Sequence, residues 1–452
     1  MTPLERRASA SLALIFALRM LGLFLVLPVF ALEAQKYPGG DDPALIGLAM
    51  GIYGLTQGLL QIPFGMASDR FGRKRVIVIG LLIFAAGSFL AAAATSLPWL
   101  LAGRALQGAG AVSAAVTALL ADLTRDTVRT KAMAMVGASI GLVFALSLVI
   151  APPLAAAIGL HGLFALTGAL ALVGIGIVLW FTPKPPLAVK VGRDGLAPAL
   201  AQVLAHPGLQ RLNLGVFVLH AVQLAMWVAV PTLLLHAGLA KDQHWAVYLP
   251  AVLGSFVVMG MLLFPLERKG YLRAVFLVSI GLIGLVQVGL WLAANGLSTE
   301  GMRADDIGSA LGWTKYYLGV LLFVFFCGFN ALEASQPSLV TRIAPPEVRG
   351  AALGVYNTLQ SLGFFMGGAL GGWLAKHWGA QGLFAMCAMA IALWLLAAWG
   401  MRAPPKIAQE VTQDIRPDAP NSATATANAN ATATAAGSQG SSGKETALAA
   451  NR

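Results

Sequence analysis

Charge is scarce in this chain. Only 11% of its 452 residues are Asp, Glu, Lys or Arg, whereas a soluble domain carries about 25%. The deficit excludes a water-facing globular surface over most of the length. Cysteine is nearly missing. Cys327 and Cys387 are the only two, and both fall inside long apolar runs. A disulfide framework or a cysteine metal site is therefore excluded, and the two read as small packing residues. There is no ATP-binding loop, no cofactor motif and no convergent His/Asp/Glu cluster at one end of the apolar runs, so no cofactor is expected. Gly137-Ala138-Ser139-Ile140-Gly141 spells the nucleophile-elbow pattern. An elbow needs a strand-to-helix turn, and this segment sits within an apolar run.

What fills the chain is hydrophobic sequence, 58% of residues, with a mean hydropathy of +0.77. A spanning helix takes about 20 apolar residues. Twelve such runs occur, at roughly 9–33, 44–68, 74–95, 98–121, 132–156, 160–182, 208–235, 245–265, 273–295, 313–340, 349–375 and 380–401. Backbone groups in lipid must be satisfied internally, so the fold class is an all-α integral membrane protein with twelve transmembrane helices. The first run is too long for a cleaved signal peptide and carries Arg19.

The net charge of +11 invites a nucleic-acid reading, which its distribution refuses. With the N-terminus inside, 20 of the 30 Lys and Arg residues fall in inner segments and 5 in outer ones. That bias places both termini in the cytoplasm. The expected partners are a lipid bilayer and a small-molecule substrate, with no nucleic acid and a monomeric state.

The longest polar break before the tail, 183–207, opens with Thr182-Pro183-Lys184-Pro185-Pro186 and divides the chain into six runs plus six. The expected organisation is a bundle at 1–182, a cytoplasmic linker at 183–207 with a short surface helix near 197–205, a bundle at 208–402 and a disordered tail at 403–452. Weak internal echoes support the division. Asp69-Arg70-Phe71-Gly72 matches Glu267-Arg268-Lys269-Gly270, and Val128-Arg129 matches Val348-Arg349. Paired repeats are a recurrent transporter plan. The Ala/Thr/Asn/Gly/Ser tail has no periodic apolar residues with which to build a core.

Between the second and third runs lies Gly65-Met66-Ala67-Ser68-Asp69-Arg70-Phe71-Gly72-Arg73-Lys74. This segment resembles the loop signature of the major facilitator superfamily, G-x-x-x-D-R-x-G-R-K, at every signature position. Arg104-Ala-Leu-Gln107-Gly108-Ala-Gly110 resembles the same family's R-x-x-Q-G-x-G element. Gly137, Gly141 and Pro152-Pro153 match its antiporter signature only loosely. Leu18 to Gly22, Gly51 to Gln57, Ala121 to Arg125, Asn213, His244-Trp245 and Gly354 to Tyr356 resemble YajR-type antiporters over about residues 15–402. Those proteins carry a soluble C-terminal domain where this chain has its tail.

The resemblance implies a proton-coupled exporter of small amphipathic molecules working by alternating access in a bacterial inner membrane, with uptake by proton symport as the alternative and a polytopic membrane enzyme or sensor as a further one. It also implies that Gly65 lets the second helix approach the eleventh and that Asp69 sits at the eleventh helix's N-terminus. Arg73 would reach Asp122, with Arg70, Gly72 and Lys74 completing a cytoplasmic gate. The first, fourth, seventh and tenth helices would line the substrate path and bring Arg19, Arg104, Gln107, His220, Gln223, Asn330, Glu333 and Gln336 to it. Tyr53, Gln57, Asn357 and Gln360 would join from the second and eleventh. Glu333 is the only carboxylate deep in a run, since Glu33, Asp69 and Asp122 fall at run ends. An intramembrane charge is a functional hypothesis by default. Glu333 is thus the expected proton carrier and Arg19 its expected partner, the rival being a static ion pair that only orders the helices. Arg19, Arg104 and His220 outnumber the acid, so anionic or neutral substrates are expected as readily as lipophilic cations.

Overall fold

Helices are what an apolar chain with self-satisfied backbone must form. The computed structural model is helical throughout the residues it describes, 1–183, 196–296, 304–345 and 348–401, with no strand among them. The first helix, α1 (Pro3–Ala34), opens with a capping box. The Thr2 side chain accepts from the Glu5 amide, and the Glu5 carboxylate accepts from the Thr2 amide. Asp42 caps α2 (Pro43–Phe71), which ends at Gly72 with φ +96°. That left-handed φ is open to glycine, and it turns the chain directly into α3 (Arg73–Ala92).

Helices α4 (Leu97–Ala109) and α5 (Ser113–Asp122) come next, then α6 (Asp126–Gly176) with a π-turn at Ile177–Phe181. The expected surface helix is α7 (Leu196–Ala205). The remaining helices are α8 (Pro207–His236), α9 (Trp245–Arg268), α10 (Leu272–Gly296), α11 (Ala304–Ile343) and α12 (Arg349–Trp399). Ten segments of the described residues are long and apolar enough to cross a membrane, counting α4 with α5 as one. Two of the ten, α6 and α12, hold 51 residues each. At about 1.5 Å per residue each is more than twice the thickness of a ~30 Å hydrocarbon core. Each is broken by a glycine of left-handed φ, Gly159 at +67° and Gly379 at +63°. Each break divides one element into two stretches, which brings the ten segments of the described residues into line with the twelve expected runs.

One run departs from expectation. The fourth is not continuous, because α4 stops at Gly110 and α5 starts at Ser113. The backbone there is pressed onto its neighbours: a Cβ on Gly110 would overlap the Gly80 carbonyl, and one on Gly108 the Tyr53 carbonyl.

Residues 1–404 form one compact unit. Alternating crossings give it two faces. The near face carries the start of α1, the α2–α3 turn, the start of α6, the start of α8 and the end of α12. Its pins are Arg125 on Glu5 at 2.8 Å, Arg7 on the Phe181 carbonyl at 2.8 Å and Arg211 Nη1 donating to the Gly400 carbonyl at 2.6 Å. The far face carries residues 35–42, the Gly159 turn, 237–244 and the Gly379 turn. Linker residues 184–195 and the tail from 402 lie outside the described residues.

Candidate functional site

The near-face signature is assembled, but not as expected. Arg73 does reach Asp122, at 2.9 Å, and also donates to Ser68 Oγ at 2.7 Å. Lys74 donates to the Thr182 carbonyl, and Arg70 lies 5.3 Å above the Phe71 ring. Asp69, however, pairs with Arg73 at 2.5 Å and stays 55% exposed instead of docking on the start of α12. The expected approach of Gly65 to α12 is also absent. A Cβ there would meet only Ala114, and Gly350 and Gly354 at the start of α12 have open space around them. The reason lies further along the same two helices, where α2 and α12 press together towards the far face. A Cβ on Gly47 would overlap the Gly368 carbonyl, one on Gly51 the Phe365 carbonyl, and one on Gly54 the Ser361 carbonyl. Helices that touch through backbone at one end diverge at the other.

Ion pairs reinforce the far-face contact between the first and second halves of the chain. Lys376 binds Asp42 at 2.8 Å, and Lys241 binds Glu33. The Lys376 ammonium holds the Asp42 carboxyl below its usual range. A depressed carboxyl contributes its stabilisation above the ordinary value near 4 and loses it as the pH falls through the lowered value, so this closure weakens in acid. Phe144 on α6 adds an apolar seal, with ring centroids 6.0 Å from Phe326 and 6.4 Å from Phe329 on α11. The near-face pins named above instead join segments within 1–182 or within 206–401.

At the centre, the expected pairing of Arg19 with Glu333 is not made. Arg19 is 2% exposed. Its guanidinium donates to Ser113 Oγ at 2.8 Å, Tyr53 Oη at 2.7 Å and Gln57 Oε1 at 3.1 Å, all within the first half of the chain. Gln57 continues across to α12 and donates to Ser361 Oγ at 3.2 Å. Glu333 has other neighbours: its side chain is 39% exposed, but its Oε2 is buried and lies 3.2 Å from His220 Nε2. Gln360 bridges the two, with its amide nitrogen 2.8 Å from His220 Nε2 and 3.3 Å from Glu333 Oε1. Helices α8, α11 and α12 thus deliver three exchangeable groups to one point, which leaves Arg19 no role there.

The chemistry of this triad follows from its geometry. His220 Nδ1 sits 2.8 Å from the Val216 carbonyl, so Nδ1 holds a proton. Nε2 then presents a lone pair, and the Gln360 amide as oriented donates to it. Turning the Gln360 amide over would offer its oxygen to a protonated imidazole. The Gln360 amide can therefore pair with His220 in either orientation.

Other expected cavity residues divide by what they bond. Arg104 donates to Gln107 Oε1 at 2.7 Å and to the Met50 carbonyl at 3.2 Å, while Gln107 donates to Ser88 at 2.8 Å. Asn330 donates to Ser255 at 2.9 Å. These three tie helix to helix and are buried. Gln223 and Gln336 are buried too, with Gln223 Oε1 and both polar atoms of Gln336 lacking a partner. Asn357 is half-buried, and its carbonyl accepts from Ser361 Oγ at 3.0 Å. Sequence reasoning missed Ser113, Ser361 and the Glu5–Arg125 clasp. Only the last had a signal, the Thr2-x-x-Glu5 capping pattern.

Comparison with known proteins matches this architecture. The family model described as Major Facilitator Superfamily covers residues 12–303 and 272–424. The chain belongs to the major facilitator superfamily. It is a multi-pass membrane transporter and not an enzyme. The inner membrane transport protein YajR of Escherichia coli strain K12 is 42% identical to this facilitator over 409 residues, covering 90% of this chain and 86% of that one. The multidrug resistance protein MdtH of Aeromonas salmonicida strain A449 is 27% identical over 384 residues, covering 82% and 88%. Among solved structures, the D-xylose–proton symporter superposes with a TM-score of 0.67 at 15% identity, over 88% of this chain and 98% of that one. That last likeness shows the fold alone.

Proposed function

We propose that this facilitator is a proton-coupled exporter of small amphipathic molecules that works by alternating access in a bacterial inner membrane. Both termini are cytoplasmic, as the distribution of Lys and Arg among the loops favours. The near face is then the cytoplasmic one, and the structure corresponds to the state that loads substrate from inside. Residues 1–182 and 208–402 act as two bundles of a monomer, joined by 183–207, and 403–452 is a dispensable tail. The observation that carries the reading is the Glu333–His220–Gln360 triad, where a carboxylate deep in an apolar run lies 3.2 Å from a buried imidazole and one amide meets both. Similarity to a protein named for multidrug resistance supports export.

The test is proton movement in proteoliposomes with a trapped pH-sensitive dye. Each transported compound in a candidate panel is expected to drive protons in the direction opposite to its own. Movement of both in the same direction would make the protein a symporter and overturn the reading.

In the opposite state the near-face ends of α2 and α12 would close, bringing Asp69 to the N-terminus of α12. A carboxylate there gains up to ~2 kcal/mol when partly buried, and ~1.4 kcal/mol corresponds to tenfold. Asp69→Asn is therefore expected to slow turnover by roughly tenfold while leaving equilibrium substrate binding in detergent nearly unchanged. Equal loss of binding would remove Asp69 from the gate.

A further inference from the structure

Arg19 is a fully buried cation with no carboxylate partner among the described residues. Its three acceptors, Ser113 Oγ, Tyr53 Oη and Gln57 Oε1, are all neutral, and its Nε has no partner. The ring of Phe84, 5.5 Å away, closes its apolar side. A charge without an opposite partner at this depth is costly and is a functional hypothesis by default.

A second positive element converges on the same point. The break in the fourth run starts α5 in mid-chain of the apolar stretch, and Ser113, its first residue, is the one Arg19 touches. Val112 supplies no side-chain cap. A helix N-terminus carries free amide donors and the positive end of the dipole, which favour an anion. Half-helices that begin inside the membrane bind anionic groups in this way.

We infer that Arg19 and the N-terminus of α5 form the anion subsite of the substrate path, taking the carboxylate of an amphipathic organic acid. This inference rests on the reading of the protein as a transporter with a central path, and it names the substrate class for that path. Gln57 occupies the subsite in the structure, its amide oxygen standing where a carboxylate oxygen would go. A carboxylate matches the planar guanidinium fork better than an amide oxygen does, so it displaces Gln57. Gln57 also holds Ser361 of α12 at 3.2 Å. Displacing it breaks a hydrogen bond between the two halves of the chain, which links occupancy to release of the closed far side. Gln57 and Ser113, which Arg19 touches, are both half-buried, whereas Arg19 itself is buried.

Three probes of one shape separate the possibilities: 1-naphthoate, 1-naphthamide and 1-naphthylmethylammonium. Binding is measured at equilibrium on the full-length protein in detergent, without any gradient. Naphthoate is expected to bind at least about tenfold more tightly than either analogue, and Arg19→Gln to remove that preference. Gln57→Ala is expected to tighten naphthoate binding several-fold, because the internal competitor is gone. A purely structural Arg19 would give no such gain, and this variant keeps the inference testable if Arg19→Gln fails to fold. Failure of naphthoate to bind, equal binding of the amide or ammonium, or weakened binding in Gln57→Ala would each overturn it. Loss of proton coupling is not measured here, so an error in the exporter reading shows up separately, in the proton-flux assay.

Discussion

Glu333→Gln is expected to leave the transporter folded and able to exchange bound substrate for free substrate, yet unable to use a pH gradient. One proton charge moved inward through about 100 mV supplies roughly 2.3 kcal/mol. At about 1.36 kcal/mol per decade, that sustains on the order of a 50-fold substrate gradient. The variant should therefore concentrate nothing, while counterflow persists in part. Its neutral amide can still meet Gln360 and His220, so α8, α11 and α12 stay joined. The Glu333 side chain is 39% exposed, while its Oε2 is buried against His220. Accumulation against a gradient with normal proton movement in Glu333→Gln proteoliposomes would remove Glu333 from coupling and leave the triad as a tie.

The helices were legible because lipid permits few solutions. Twelve apolar runs separated by short polar breaks admit only a bundle of spans, and the short helix within the linker announced itself by composition. The Gly72 turn and the Arg73–Asp122 bond followed from a resemblance carried by ten consecutive residues. What stayed hidden were partnerships between distant runs. Nothing local to Glu333 says that His220 and Gln360 arrive at its depth, and Arg19 is its expected partner only because the resemblance sets the first helix beside the tenth. The break at Gly110 was invisible because its neighbours Ala111 and Val112 are ordinary helix-interior residues. The spacing of Gly47, Gly51 and Gly54 against Gly368 and Gly372 was legible as close packing but was overshadowed by the louder motif at Gly65. A transporter sequence also encodes two states at once. On the proposed alternating-access reading, the Gly65 and Asp69 contacts are expected in the state closed on the near face, whereas the glycine ladder is made in this structure.

That division of labour makes the ladder the place where substitution should be most damaging. In Gly51→Leu the new side chain has nowhere to go, because its Cβ already overlaps the backbone carbonyl of Phe365 and no side-chain rotation relieves a clash with backbone. Overpacking of this kind costs typically 1–3 kcal/mol, occasionally more, and the cost falls only on the state closed at the far face. A shift of about 3 kcal/mol between two states changes their ratio by roughly 100-fold. Transport should fall by about that factor, with the protein still inserted and folded. Spin labels at Asp41 and Gln243, both exposed on the far face in opposite halves of the chain, should report a longer separation in the variant. Gly65→Leu is the matched control. Its Cβ meets only Ala114 in this state, so the Asp41–Gln243 separation should not lengthen even though transport suffers. Normal transport by Gly51→Leu with an unchanged label distance would mean that backbone contact between α2 and α12 is not what closes the far side. The ion pairs at Asp42 and Glu33 would then have to carry closure alone, and charge-neutral variants of those two residues would become the damaging ones.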